Sequence, residues 1–163
     1  MVDGKVITVE SNELFQFVIE VLKSGQTARL NVVGTSMNPF ISTNRDSVEL
    51  KSTGFADIRK GDIVLFQRDN GKFVLHRVYK KTADCFYMLG DAQTWIEGPL
   101  YPNQVFAKAT AIHKEKATLL NKKGSVLACD SLKWRTISSV WMILRPFRKI
   151  IMKCYLALTR RKK

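Results

Sequence analysis

Apolar residues recur at helical intervals near both ends of this chain and alternate in short runs between them. Leu14, Phe15, Val18, Val21 and Leu22 share one helical face. They predict a helix over 11–24, with Ser11 as its cap and Gly25 as its stop. TARLNVV at 27–33 alternates as a strand, and further strands are expected at 47–51 and 62–66. The turn Asp69-Asn70-Gly71-Lys72 carries the Asn-Gly hairpin signature and leads into FVLHRVYKK. DCFYML, VFAKATAIH at 105–113 and ATLLN at 117–121 complete the alternating runs. Short strands separated by turn signals every ~8–12 residues predict a mainly β domain, a coiled sheet or partial barrel.

The C-terminal pattern is different. Trp134, Ile137, Trp141, Leu144, Ile151, Tyr155 and Leu158 fall on one helical face, and Pro146 should kink the helix. Charge separates this segment from the rest. All 14 acidic residues lie within 1–130, whereas 131–163 holds ten of the 27 Lys and Arg and no acid. The expected organisation is a domain at 1–130 followed by a basic amphipathic helix at 131–163. Tryptophan and basic residues around an apolar stripe describe an interfacial helix. Trp134, Trp141, Arg145, Arg148 and Lys149 are therefore expected to meet a membrane surface. The competing expectation is that the stripe packs on the protein's own sheet or on a partner. Nucleic acid is not expected, because no base-reading motif accompanies the charge.

The start MVDGKVITVESNE lacks the basic and apolar regions of a signal peptide, and no run of about 18 apolar residues occurs. Three scattered cysteines without a CxxC pair fit a reducing compartment. These features predict a cytoplasmic, peripherally membrane-associated protein.

Candidate chemistry lies in loops and at strand ends. In Gly34-Thr35-Ser36-Met37-Asn38-Pro39 a serine follows a strand at a sharp turn. Its hydroxyl and the neighbouring N–H groups can face a reacting carbonyl and its oxyanion. Val74-Leu75-His76-Arg77-Val78 places His76 with Val74 and Val78, opposite Leu75 and Arg77. Apolar surroundings favour the neutral imidazole that a general base needs. His113, in a Lys-rich context, reads as a surface residue. Asp91 in Gly90-Asp91, or Glu97 six residues on, could orient His76 through its other ring nitrogen. A serine in a turn, a core histidine and a turn aspartate are also ordinary structural features, so each motif alone is weak.

Together, GTSMNP, DIRKGDIVLF, VLHRV and GDAQTWIEGPLY resemble the signal peptidase and repressor auto-peptidase superfamily. Within it they are most similar to the branch found in archaea, the eukaryotic endoplasmic reticulum and some Gram-positive bacteria. The resemblance covers residues 32–112. It implies a coiled antiparallel β domain with Ser36 as nucleophile and His76 as base, where bacterial enzymes and repressors have lysine. It implies Asp91 and Glu97 as the acidic members, and Thr35 and Met37 beside the oxyanion and substrate. The substrate would be a peptide or protein adding along a strand edge, with no metal or other cofactor. The chain departs from the pattern at Gly34, at Arg45-Asp46 and at Glu97, where the family usually has serine, Gly-Asp and aspartate. The N-terminal membrane anchor of signal peptidases is also missing. A degenerate, non-catalytic peptidase fold is the alternative these departures favour. A self-cleaving repressor fits less well, because no helix-turn-helix motif precedes the domain.

Overall fold

The computed structural model describes residues 12–115 and 123–160. The expected N-terminal helix is α1 (Asn12–Lys23), and Gly25, with φ +82°, ends it. The expected cap Ser11 and the strand at 117–121 lie outside the described residues.

The strands are β1 (Thr27–Asn31), β2 (Asp46–Ser52), β3 (Ile63–Gln67), β4 (Phe73–Lys81), β5 (Phe86–Leu89), β6 (Glu97–Leu100), β7 (Val105–Lys114) and β8 (Val126–Ala128). They form one antiparallel sheet in the order β1-β2-β7-β3-β4-β5-β6, with β8 also on β7. The mainly β fold is as the alternating pattern predicts, and its antiparallel sheet is what the resemblance implies. Irregular register in β2, β3, β4 and β5 bends the sheet.

Both faces of its centre are buried, so β3 is apolar from Ile63 to Phe66 and does not alternate. One core gathers Val18 and Leu22 of α1 with Met37, Ile41, Ile63, Leu65, Ala107 and Ile112. The second holds Val64, Phe66, Val78, Phe86 and Met88.

The C-terminal segment folds as α2 (Leu132–Ile143), a short 3-10 turn at Arg145–Phe147 and α3 (Arg148–Arg160), so the chain bends at Pro146. Here the structure corrects the expected surface. Trp134 and Trp141 are buried in the first core, each edge-on to Phe40 at centroid separations of 5.6 and 5.2 Å. Ile151 packs there in part. Arg148 is fully buried, donating to the carbonyls of Gly90 at 3.1 Å and Gln93 at 3.2 Å. These three residues therefore face protein, not a bilayer. The segment is amphipathic, but its apolar stripe packs on the protein's own core. No helix among the described residues is long and apolar enough to cross a membrane.

Candidate active site

Strand alternation in β4 sends His76 and Arg77 to opposite faces of the sheet. His76 is 1% exposed and pairs across the ladder with Val64. Its ring lies 5.9 Å from that of Phe66. The imidazole thus sits at the edge of the second core, with Val74 and Val78 as the sequence pattern predicts.

Glu97, at the start of the edge strand β6, reaches this imidazole. Its Oε2 is 3.4 Å from His76 Nδ1. Nδ1 has no formed hydrogen bond among the described residues, so this contact is a close approach of the carboxylate to the ring. Arg68, just beyond β3, grips the same carboxylate with both arms: Nε on Oε1, and Nη2 on Oε2 at 2.8 Å. Burial opposes ionisation of Glu97, but the contacts with His76 and Arg68 more than offset it and hold the carboxyl at about 2. A carboxylate fixed opposite Nδ1 favours the tautomer with its proton on Nδ1, which leaves the Nε2 lone pair for a nucleophile's proton.

Asp91 goes to the other face. Its Oδ1 and Oδ2 accept from Arg77 Nε at 2.9 Å and Nη2 at 2.7 Å, and both residues are fully buried. Arg77 Nη1 also donates to the Gly61 carbonyl at 2.9 Å and to Ser138 Oγ at 2.7 Å. Trp141 Nε1 donates to the Asp91 carbonyl at 3.2 Å. Of the two carboxylates predicted to orient His76, the structure brings Glu97 to it and uses Asp91 to tie β4, the loop after β5 and α2 together.

Hydrogen bonds within the Ser36 loop hold its shape. Gly34 has φ +93°, a conformation that strains other residues, and donates its N–H to Thr43 Oγ1 at 2.8 Å. A serine side chain there, as in the family pattern, would require that strained backbone. The carbonyls of Thr35 and Met37 accept from the Asn38 and Ile41 N–H groups at 3.1 and 3.0 Å. The Met37 side chain is buried in the first core, so it anchors the loop and does not line a substrate groove, whereas Thr35 is exposed. The N–H groups of Ser36 and Met37 take no protein acceptor among the described residues. They remain available to an oxyanion.

Asp46 closes the loop's far end. It accepts from the Ser42 N–H at 2.6 Å and from Lys114 Nζ at 2.6 Å, while Lys114 also holds the Phe40 carbonyl. The Arg45-Asp46 pair thus supplies a buried, paired aspartate at the position where the family has Gly-Asp.

Gly90 packs against the serine loop, directly after Leu89, which stands opposite Arg77 in the β4–β5 ladder. The Ser36 carbonyl accepts from the Ala92 N–H at 2.8 Å. A Cβ on Gly90 would lie 2.9 Å from that same oxygen. The missing side chain is the space in which the Ser36 main chain docks.

Arg68, Arg77 and Gly90 carry these arrangements; the sequence motifs contain Arg77 and Gly90 without assigning them a role, and Arg68 lies outside them. His113 is half-buried, with Nε2 3.6 Å from Glu49 Oε2, and not the surface residue its Lys-rich context suggested. A hollow lined by Lys51, Thr53, Asp57, Lys108 and Asp130 contains none of Ser36, His76 or Glu97.

A mainly antiparallel sheet with an N-terminal helix, carrying Ser36 in a loop and His76 buried in β4, suits a peptidase-type fold. The family model described as Peptidase S24-like matches residues 3–112, and the chain belongs to that family. No curated protein and no solved structure matches it.

Proposed function

We propose that this protein is a serine endopeptidase that removes a leader or signal peptide at a membrane surface, through Ser36, His76 and Glu97. The observation that carries this reading is the Arg68-held carboxylate of Glu97 facing Nδ1 of a buried histidine. In the reaction His76 Nε2 accepts the Ser36 hydroxyl proton as Oγ bonds to the substrate carbonyl carbon. The N–H groups of Ser36 and Met37 hold the oxyanion. The C–N bond breaks, and His76 passes its proton to the leaving amine. Water then repeats the sequence on the acyl-enzyme, releasing the acid and freeing Ser36. The order and identity of the four motifs support a place in the archaeal and endoplasmic-reticulum branch.

The second reading is a peptide-binding fold without turnover. The Glu97–His76 approach, longer than a hydrogen bond, favours it, although catalytic contacts often tighten only with substrate bound. A fluorophosphonate probe separates the two. The expected result is labelling of the wild type, none of Ser36→Ala, and strongly reduced labelling of His76→Ala, with all three folded by circular dichroism. Wild-type labelling of His76→Ala would remove His76 from the mechanism.

A further inference from the structure

Burial of Trp134, Ser138, Trp141, Met142 and Arg148 leaves the other side of the same helices uncovered. That side carries Leu132, Val140, Ile143, Phe147 and Ile150; Leu132 is 82% exposed, Ile143 76% and Ile150 63%. Single exposed apolar residues are ordinary, but five following one another along a bent helix pair form a patch. Lys133, Arg135, Lys149 and Lys153 are exposed around it, and 131–163 contains no acidic residue.

We infer that this outer face docks on an anionic lipid bilayer. The apolar residues enter the headgroup–acyl boundary, and the lysines and arginines at their rim meet lipid phosphates. The exposed Lys133, Arg135, Lys149 and Lys153 at its rim are what select a negatively charged surface over a neutral one. The face is not remote from the site. Arg145 donates to the Thr94 carbonyl at 3.2 Å, and Arg148 holds Gln93 and Gly90. Trp95 and Ile96, 60% and 36% exposed, belong to that same loop, which runs directly into Glu97. Docking therefore sets the bilayer beside the loop that delivers Glu97 to His76. On the peptidase reading above, the scissile bond would be one held close to the headgroups. The docking itself does not depend on that reading.

Co-sedimentation of the full chain with vesicles tests this. One set mixes phosphatidylglycerol with phosphatidylcholine, and the other is phosphatidylcholine alone. The wild type should bind the anionic set and bind the neutral set much more weakly. The triple variant Ile143→Ser, Phe147→Ser, Ile150→Ser alters only exposed positions and should lose about tenfold or more in anionic-vesicle affinity, from the apolar area it withholds. Raising salt from about 0.1 M to about 1 M should weaken wild-type binding without abolishing it. Failure to bind anionic vesicles, or binding that salt removes entirely, overturns the proposal. So does a dimer in solution that the triple variant dissociates, which would assign the face to a second copy of the chain. Fluorophosphonate labelling of Ser36 in vesicle-free solution should be unchanged in the triple variant, so failure of docking and failure of the peptidase reading remain distinguishable.

Discussion

Arg77 and Asp91 form a bidentate ion pair with no solvent exposure on either side chain, at the junction of β4, the β5–β6 loop and α2. Such a pair is costly to break by halves, because the surviving charge stays buried without its counterion. Asp91→Ala should therefore lower stability by about 3–5 kcal/mol. Urea unfolding checks this through the midpoint at constant slope. If Asp91→Ala keeps wild-type stability and loses only turnover, Asp91 belongs to the chemistry and its structural assignment here is wrong.

Glu97 should behave in the opposite way. Its carboxyl sits at about 2, below the ordinary 4.5, so folding favours the ionised form. The stability this contributes is complete above about pH 4.5 and is lost as pH falls toward about 2. Glu97→Gln lacks the contribution at every pH. The stability gap between wild type and variant should be widest near neutrality and close across that acid window. On the proposed mechanism the same variant lowers kcat by about 10²-fold or more while remaining folded. A gap that does not change with pH would mean that Glu97 is not held ionised by its neighbours.

Gly90→Ala puts a methyl group 2.7 Å from Gln93 Oε1 and 2.9 Å from the Ser36 carbonyl oxygen. That oxygen is backbone, so the serine loop itself must move. Overpacking of this kind costs about 1–3 kcal/mol. Probe labelling should fall far more than stability does, since the displaced group carries the nucleophile. Equal labelling of Gly90→Ala and wild type would show that the loop tolerates the shift.

The parts legible in the sequence were those governed by local pattern. α1, β1 to β5 and β7 follow from apolar periodicity and turn residues, and the bend at Pro146 from its fixed φ. β6 escaped notice because its Gly98-Pro99 core reads as a loop, which an edge strand tolerates. β8 is only three residues long. The site was half legible for a similar reason. Motifs name the residues, but which carboxylate meets which cation depends on pairing across strands. Parity in β4 sends Asp91 to Arg77 and Glu97 to His76, and only the β4–β5–β6 register reveals it. The C-terminal helices show the same limit. Periodicity identifies an apolar stripe and cannot say what covers it, and here the second apolar face was hidden behind the first.

The last expectation concerns the boundary between the domain and those helices. Had 131–163 been a separable tail, its removal would leave the site intact. Trp134 and Trp141 instead brace Phe40, which lies four residues beyond Ser36 in the same loop. Ser138 accepts from Arg77, and Arg148 holds the Gly90 carbonyl. Trp141→Ala should cost about 3–5 kcal/mol, as for other buried aromatic truncations, and should loosen the serine loop as well. Ile143→Ser, two positions on and facing outward, should leave stability close to unchanged. Truncation after Asp130 should therefore give a protein that is insoluble, or folded without probe labelling at Ser36. Urea unfolding and fluorophosphonate labelling of the three variants check this together. A truncated chain that stays folded and labels at the wild-type rate would show that α2 and α3 are an appendage and that the Phe40 contact does not support the site.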